Sequence, residues 1–470
     1  MALSTSHLPA PRLSEDMLGR LDRPGPRYTS YPTADRFIEA FGPDEYRQAL
    51  GQHAPGATNR SHVPLSLYVH VPFCESLCYY CACNKIVTRH HERATPYLDA
   101  LRAEIALNVA VIGTGRPVSQ LHLGGGTPTF LDDAELRALM DALKAAFRLT
   151  PGAEVSIEVD PRTISPQRLA VLWELGFNRL SFGVQDFDVD VQKAVHRIQP
   201  QALVVDLVQA ARQQGFTSIN LDLIYGLPRQ TPQTFARTVE QVCAIRPDRI
   251  AVYAYAHLPQ RFKAQRRIAT ASLPPAEHRV AMLGSAISGF MDAGYQYIGM
   301  DHFALPGDPL AHARRQGSLH RNFQGYTTQP DSDLIGLGVS SISKVGSCYA
   351  QSAKTLEEYY DAIRAGRFPT VRGLALTRDD LVRRSVIMAL MCQGRPDFES
   401  IELSHLIDVP SYFRPELADM RALADMGLVD CGPRHVEVTA LGWYFVRTVA
   451  MVFDRHLREA VSREHFSRLI

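Results

Sequence analysis

The chain has 470 residues, of which 46% are hydrophobic and 21% are charged, with a formal net charge of +1. This length favours one large domain with appendages, or two to three domains, and the composition is that of an ordinary soluble globular protein. The near-neutral charge gives no reason to expect nucleic acid or an anionic membrane as a partner, and no apolar run approaches the roughly 20 residues that span a bilayer.

The amino-terminal sequence MALSTSHLPAPRLSEDMLGR is interrupted by prolines and charges, so we do not expect a secretory signal. The expected compartment is the reducing cytoplasm, where clustered cysteines bind metal or do redox chemistry instead of forming disulfides. A Pro-rich stretch with two tyrosines, Tyr28 and Tyr31, runs from Leu21 to Phe37. We predict that residues 1–50 form an amino-terminal arm.

Six apolar runs rich in β-branched and aromatic residues then alternate with helical patterns. The runs are LSLYVHVPF from Leu65, QLHLGGG from Gln120, EVSIEVDP from Glu154, RLSFGVQ from Arg179, SINLDLIYGLP from Ser218 and RIAVYAYAHLP from Arg249. This alternation predicts an α/β fold of right-handed βαβ units with a parallel sheet. Six repeats favour a partial (β/α)6 barrel over a closed barrel of eight strands, and an open doubly wound sheet is the alternative.

The pattern changes beyond about Gly373. TRDDLVRRSVIMALMCQ and PELADMRALADMGLV are typical of helices, and VEVTALGWYFVRTVAMVF indicates a short strand followed by a helix. We therefore predict that residues 51–372 form the barrel with its extension, and that residues 373–470 form a smaller, mostly α domain.

Polar residues follow the predicted strand ends. In parallel α/β folds the ligand lies beyond the carboxyl ends of the strands. The GGGTPT turn (Gly124–Thr129) leaves backbone open to close approach and exposes N–H groups to a carboxylate, although such a turn alone is more often only a tight turn. Glu158 and Asp222 interrupt apolar strands, where a buried carboxylate is costly unless it meets a cation or good donors. A structural ion pair is the alternative for either residue taken alone.

Half of the eight cysteines lie within ten residues, in CESLCYYCAC: Cys74, Cys78, Cys81 and Cys83. A structural zinc site usually has two short cysteine pairs separated by a long spacer. The other four cysteines of this chain are scattered singly, so there is no second pair for such a site. A redox pair of Cys78 and Cys81 would leave the other two cysteines without a role. An iron–sulfur cluster accounts for the loop better, because three thiolates can hold three irons of a [4Fe-4S] cube and leave the fourth iron for a small molecule.

The spacing of Cys74, Cys78 and Cys81 after a first strand resembles that of radical S-adenosylmethionine enzymes. More narrowly, YVHVPFCESLCYYCACNK resembles the oxygen-independent coproporphyrinogen III oxidases of bacterial haem synthesis. The likeness extends, in order, from about Gly25 to beyond Arg384. It is carried by PRYTSYPTA, LHLGGGTPTFL, SIEVDPRTI, GFNRLSFGVQDF, NLDLIYGLP, YAHLP, GMDHFA and LHRNFQGYTTQ.

The resemblance implies oxidative decarboxylation of two propionate groups of coproporphyrinogen III to vinyl groups, which gives protoporphyrinogen IX. It implies a [4Fe-4S] cluster on Cys74, Cys78 and Cys81 and two molecules of S-adenosylmethionine. One electron would cleave S-adenosylmethionine to a 5′-deoxyadenosyl radical, which removes a hydrogen from a propionate. A one-electron donor such as flavodoxin or ferredoxin and a monomeric state are also expected.

The resemblance also implies roles for residues of this chain. Cys83 is implied to act in the reaction, and the substrate's four carboxylates make arginine their natural partner. Arg27 and Gln324 are the candidates for substrate contact, and His302 is expected to be structural. The residues implied to bind S-adenosylmethionine are Tyr68, Tyr80, Gly125, Gly126, Thr127, Glu158, Gln185, Arg197, Asp222, Ala256 and Ile342.

The main alternative is a haem-trafficking relative that keeps the cluster. Such relatives tend to have an aromatic residue in place of Cys83, lack the PRYTSYPT arm, and usually carry HNxxYW where this chain has HRNFQGYT. All three features favour the oxidase. A non-catalytic zinc or iron–sulfur scaffold, and a radical enzyme acting on another tetrapyrrole, remain as further alternatives.

Overall fold

The computed structural model describes residue 21, residues 24–52 and residues 63–459. Residues 1–20, 22 and 23 of the predicted arm, residues 53–62 and the last 11 residues of the predicted carboxyl-terminal domain thus lie outside the described residues. The α-helices are α1 (Pro43–Gly51), α2 (Ala94–Ile112), α3 (Asp133–Ala146), α4 (Pro166–Glu174), α5 (Val189–Ala194), α6 (Gln201–Gln214), α7 (Pro232–Ile245), α8 (Ala276–Asp292), α9 (Pro309–Gln316), α10 (Leu356–Arg364), α11 (Arg378–Gln393), α12 (Phe398–His405), α13 (Val409–Tyr412), α14 (Arg414–Asp425), α15 (Val446–Met451) and α16 (Arg455–Glu459).

The β-strands are β1 (Leu65–Val71), β2 (Phe73–Cys74), β3 (Ile86–Val87), β4 (Arg116–Gly125), β5 (Phe147–Val159), β6 (Arg179–Gln185), β7 (Ser218–Tyr225), β8 (Arg249–Ala254), β9 (Gln296–Gly299), β10 (His302–Ala304), β11 (His320–Asn322), β12 (Gly325–Thr327), β13 (Leu334–Leu337), β14 (Ile342–Val345), β15 (Cys348–Ser352), β16 (Thr370–Ala375), β17 (Val429–Gly432) and β18 (His435–Val438). None of the described helices could cross a membrane.

The six predicted barrel strands are present. Strands β1, β4, β5, β6, β7 and β8 lie side by side in that order, and every neighbouring pair is parallel. These six strands follow one another in sequence order, without the reversal of a doubly wound sheet, and β1 does not pair with β8, so the α/β prediction of a partial barrel is confirmed. All six strands point their carboxyl ends in the same direction, which places the residues that follow them at one edge of the sheet.

The sheet is larger than predicted. It has twelve strands, because β13 to β16 extend it beyond β1, and β10 with β9 extends it beyond β8. The added strands have three to six residues each, too short for a clear alternating pattern. Strands β4 and β5 also begin earlier than predicted, with Arg116 opposite Phe147. The boundary predicted after residue 372 stays a prediction, and it falls inside β16.

An ion-pair network occupies the amino-terminal side of the barrel strands. Glu154 Oε1 lies 2.8 Å from Arg179 Nη1, and Arg249 Nη2 lies 3.5 Å from Glu154 Oε2. Arg249 also pairs with Asp308, at 2.8 Å from Nε to Oδ2. Burial would raise the pKa of Glu154, but the charges of Arg179 and Arg249 outweigh it and bring the pKa to about 2. The network therefore lies at the opposite end of the strands from their carboxyl ends, where a ligand is expected.

We expect Glu154 to make the free energy of unfolding depend on pH in the acidic range. Its pKa falls from an ordinary 4.5 to about 2 on folding, so the carboxylate stabilises the fold by about 3 kcal/mol above pH 4.5 and loses this contribution as the pH falls towards 2. Urea unfolding of wild type and Glu154→Gln at pH 7, 4.5 and 3 measures it. Wild type should lose more stability than the variant between pH 4.5 and 3, and equal losses would contradict the assignment.

The amino-terminal arm packs against the carboxyl-terminal helices. Tyr28 and Tyr31 have no exposed surface. The Tyr28 hydroxyl donates to Asp454 at 2.9 Å, and the Tyr31 hydroxyl accepts from the backbone N–H of Arg455 at 3.2 Å. Ile38 forms an isolated antiparallel bridge with Gly373 in β16. These contacts hold the neighbouring Arg27 against the body of the protein.

Candidate active site

The cysteine loop leaves the carboxyl end of β1. Its first cysteine, Cys74, ends β2, which pairs in parallel with β3 on the far side of the loop. Cys74 and Cys78 are buried, Cys81 is half-buried and Cys83 is exposed. A turn closes with the Cys81 N–H donating to the Cys78 carbonyl at 3.2 Å. The fold thus presents the four thiols from one short loop.

Polar groups surround the sulfur atoms. Thr127 Oγ1 lies 3.5 Å from Cys74 Sγ, and burial raises the pKa of Cys74 to about 12. Arg162 Nη2 and Arg197 Nη1 both lie 3.5 Å from Cys78 Sγ. A hydrogen bond from the Cys83 thiol lowers the pKa of Cys81 to about 6. Two arginine guanidinium groups thus donate hydrogen bonds to the sulfur of Cys78.

The spacing of the thiols does not suit a single metal ion. Tetrahedral zinc with Zn–S bonds near 2.3 Å holds its sulfurs about 3.8 Å apart. Among the described residues, the one group with three possible ligand atoms within 4.8 Å of one another is His91, Asp132 and Glu135. Three cysteines that are farther apart fit the corners of a cubic cluster better than one ion. The donor set therefore fits an iron–sulfur cluster.

The glycine turn after β4 lies against the cysteine loop. A Cβ atom on Gly126 would stand 2.6 Å from the carbonyl oxygen of Pro72, so only glycine allows this contact. The Thr127 N–H donates to the Phe73 carbonyl at 2.8 Å. Gly125 has φ +117°, which favours glycine, and its N–H donates to Glu158 Oε2 at 3.0 Å. The turn therefore joins the cysteine loop to the end of β5.

Two carboxylates lie near the strand ends. Burial would raise the pKa of Glu158, but hydrogen bonds from His122 and from the Gly125 N–H lower it. Burial raises the pKa of Asp222, which accepts hydrogen bonds from Ser181 Oγ at 3.0 Å and Asn220 Nδ2 at 2.9 Å. Neither residue has an arginine or lysine ion pair among the described residues. Glu158 Oε1 lies 3.4 Å from His122 Nε2, so the ion-pair alternative is left unsupported only for Asp222.

A buried ion pair ties the loop to β5 and β6. Arg197 Nη1 lies 3.1 Å from Asp160 Oδ2, with side chains only 7% and 9% exposed. Arg162 binds the same carboxylate, at 2.6 Å from Nη2 to Oδ2. Arg197 also donates to the Gly183 carbonyl, at an irregularity in the β6–β7 register that leaves Gln185 with φ 71°. Asp160 therefore holds both Arg162 and Arg197 beside Cys78.

Two adjoining cavities, of about 270 and about 380 Å³, open beyond the strand ends, and Glu158 and Tyr253 line both. Most of the predicted site residues line one or the other. Those of the first cavity are Cys74, Cys78, Tyr80, Cys81, Cys83, Gly125, Gly126, Thr127, Glu158, Gln185, Arg197 and Asp222. Those of the second are Tyr68, Glu158, Gln324 and Ile342.

Two predicted residues do not line either cavity. The Ala256 carbonyl accepts a hydrogen bond from Gln265 Nε2 at 3.1 Å, and the same nitrogen donates to the Tyr80 carbonyl at 2.9 Å. Arg27 forms an ion pair with Asp301 and places its guanidinium 5.3 Å from the ring centre of Tyr253. Each therefore reaches the cavities through one intervening side chain.

Sequence reasoning missed several side chains of the site. Asp160 and Arg162 lie in the quoted segment SIEVDPRTI, where an acidic residue and an arginine two positions later were a usable signal. Tyr253 lies in β8 between the two cavities, and nothing in an apolar strand sets it apart. His70 stands beneath the glycine turn, where a Cβ atom on Gly125 would come within 2.7 Å of its ring.

Comparisons with known proteins agree with this geometry. The family model of the radical SAM superfamily matches residues 68–242. The oxygen-independent coproporphyrinogen III oxidase of Escherichia coli K12 is 50% identical over 446 residues, which cover 95% of this chain and 96% of the relative. The chain belongs to the oxygen-independent coproporphyrinogen III oxidases.

Other members of this oxidase family agree. The Pseudomonas aeruginosa oxidase is 46% identical, over 98% of this chain and 99% of its own length. The solved structure of the coproporphyrinogen III oxidase of Escherichia coli, a radical SAM enzyme, matches with a TM-score of 0.88 and 49% identity, covering 92% of this chain and 97% of that one. The family likeness thus spans the barrel, the arm and the helical carboxyl-terminal region.

Proposed function

We propose that this protein catalyses the oxygen-independent oxidative decarboxylation of two propionate groups of coproporphyrinogen III, giving protoporphyrinogen IX in haem biosynthesis. The observation that carries the proposal is the meeting, in one cavity, of the cysteine loop with polar residues from β4, β5, β6 and β7. From Cys74 to Asp222 these residues span more than 100 positions of the sequence, and the near-complete match to the oxidases gives their convergence its chemical meaning.

The proposed cofactors are a [4Fe-4S] cluster on Cys74, Cys78 and Cys81 and S-adenosylmethionine, with two molecules of the latter. When bound, the cluster would supply the electron for cleavage of S-adenosylmethionine, and the resulting 5′-deoxyadenosyl radical would take a hydrogen from a propionate. Arg197 and Arg162 stabilise the Cys78 thiolate by donating to its sulfur.

The proposed S-adenosylmethionine contacts follow from chemistry at the strand ends. The glycine turn lets backbone approach a ligand closely, and the ionised Glu158 offers acceptors to N–H and O–H groups. Tyr68, whose ring stacks on His122 with centroids 5.9 Å apart, forms part of the second cavity wall. We assign Gln324 to substrate contact, because its Oε1 is buried and has no hydrogen-bond partner.

Glu158→Gln should weaken S-adenosylmethionine binding roughly 10- to 100-fold, since the neutral amide removes a charge-assisted hydrogen-bond acceptor. Equilibrium dialysis of the cluster-loaded enzyme under anaerobic conditions measures this affinity. The control is Glu174→Gln, an exposed glutamate on the outer surface. Equal affinities for wild type and Glu158→Gln would remove Glu158 from the cofactor site.

Cys83→Ser should keep the cluster and impair turnover. Cys83 is exposed in the cavity lining and is not one of the three proposed ligands. The serine hydroxyl keeps the size of the group but loses the reactivity of the thiol. Iron and sulfide content measured beside product formation separates the two roles. A Cys83→Ser enzyme that loses its cluster would make Cys83 a ligand.

The proposal also covers the electron donor, the oligomeric state and the cellular compartment. A small one-electron carrier such as flavodoxin or ferredoxin supplies the electron, and the enzyme acts as a monomer in the cytoplasm. All eight cysteines are free, including two that are buried in the loop, as suits a reducing compartment. Reduction of the cluster by purified flavodoxin, followed by its spectrum, tests the donor.

An anaerobic assay separates the oxidase from the haem-trafficking alternative. Reconstituted enzyme is incubated with coproporphyrinogen III, S-adenosylmethionine and a one-electron reductant, and the tetrapyrroles are analysed. Protoporphyrinogen IX that depends on the cluster supports the oxidase. Cleavage of S-adenosylmethionine without decarboxylation, together with stoichiometric haem binding, would favour trafficking.

A further inference from the structure

Arg321 in β11 is a buried cation, two of whose three guanidinium nitrogens have no hydrogen-bond acceptor among the described residues. It is only 5% exposed, and within the described part of the chain its Nε and Nη1 atoms have no acceptor. Its guanidinium lies 4.5 Å from the ring centre of Tyr326, a contact that supplies no anion. Buried polar groups are nearly always paired, and a buried charge without a counter-ion is costly. Such a group needs an explanation other than folding.

Other cations lie close to Arg321. Burial, followed by the positive charges of Arg27 and Arg321, lowers the pKa of Arg447 to about 9, so the three guanidinium groups interact. Burial, then Arg321 and Arg27, also lowers the pKa of His302, which keeps that imidazole neutral at pH 7. The nearby carboxylate of Asp301 is bound by Arg27. The negative charge of Asp222, which lines the first cavity, raises the pKa of His302 and partly offsets this lowering.

This cation cluster borders the proposed substrate space. Arg27 packs on Tyr253, which lines both cavities. Phe323 and Gln324, two and three residues after Arg321, line the second cavity. Burial raises the pKa of Tyr253 and Tyr326, whose rings lie against Arg27 and Arg321, so both tyrosines are neutral at pH 7. Arg27 and Arg321 therefore lie next to residues that line the two cavities.

We infer that Arg321, with Arg27 beside it, binds a propionate carboxylate of the tetrapyrrole substrate. This inference rests on the proposed function, whose substrate carries four carboxylates. The free Nε and Nη1 donors of Arg321 form part of the planar fork that matches a carboxylate. The substrate would supply the anion that the folded chain lacks at this position. Gln324 would then contact the same ligand from the adjoining loop.

The test uses Arg321→Met in the cluster-loaded enzyme, with Arg395→Met, at an exposed arginine, as the matched loss of one charge. We expect Arg321→Met to raise KM for coproporphyrinogen III roughly 10- to 100-fold, because a charged hydrogen bond to the substrate is lost. Cluster content and uncoupled cleavage of S-adenosylmethionine should stay at the wild-type level. Arg395→Met should have the wild-type KM.

Thermal melting without substrate separates substrate binding from a structural role. Removing a cation that has no partner should leave the melting temperature unchanged or raise it, whereas a structural arginine would lower it. Arg321→Lys should recover part of the affinity, since it restores the charge but not the fork. An unchanged KM in Arg321→Met, or a variant that unfolds or melts lower, would overturn the inference. Absence of product from wild type would instead overturn the proposed function.

Discussion

Cys78→Ser should remove the iron–sulfur cluster and abolish turnover. The Cys78 sulfur is buried and lies 3.5 Å from a nitrogen of each of two arginines, Arg162 and Arg197. A serine hydroxyl is a poor replacement, because it stays protonated at neutral pH and iron–sulfur clusters are held by thiolates. We expect iron and acid-labile sulfide to fall to background, and product formation to fall below detection.

The control for this substitution is Cys431→Ser, in β17. That cysteine is half-buried and is one of the four scattered along the chain. The variant should keep its iron, its visible absorption and its turnover. An intact cluster in Cys78→Ser would contradict the ligand assignment, and loss of the cluster from Cys431→Ser would show that the assay reports general instability.

Asp160→Asn should strongly destabilise the protein and weaken cluster retention. Asp160 binds Arg197 and Arg162 in a setting where its side chain is only 9% exposed. Removing one partner of a buried ion pair typically costs about 3–5 kcal/mol, because the remaining charge is left without compensation. The two arginines that lose their anchor are those that donate to Cys78, so the cluster should be lost faster under a chelator.

The matched control is Asp133→Asn, which removes one carboxylate from an exposed pair. Arg168 Nε lies 2.8 Å from Asp133 Oδ1, and the aspartate side chain is 50% exposed. Exposed pairs contribute at most about 1 kcal/mol. Urea unfolding and the rate of iron release measure both variants. Similar changes in Asp160→Asn and Asp133→Asn would mean that the buried pair has no special role.

The sequence predicted the central part of the fold well. The six barrel strands are long apolar runs bounded by helical patterns, and the parallel order follows from the βαβ rule. The extensions of the sheet escaped prediction because their pairing depends on distant partners. Strand β13, for example, has four residues, and it pairs in parallel with β1 more than 250 positions earlier.

The site was predictable where a polar residue interrupts an apolar pattern. Glu158 and Asp222 stood out in this way, and the structure brings them to one cavity. Charge networks were not predictable, because a linear pattern does not say which arginine faces which carboxylate. The Asp160–Arg197 pair joins residues 37 positions apart. That Nε and Nη1 of Arg321 have no acceptor among the described residues becomes visible only when its neighbours in space are known.

The transfer of hydrogen from the substrate tests the account most directly. Coproporphyrinogen III deuterated at the β-carbons of its propionate side chains is converted anaerobically by the cluster-loaded enzyme, and 5′-deoxyadenosine is analysed by mass spectrometry. The account predicts one deuterium in the 5′-deoxyadenosine, formed together with protoporphyrinogen IX. Unlabelled 5′-deoxyadenosine accompanying full conversion of the labelled substrate would contradict it.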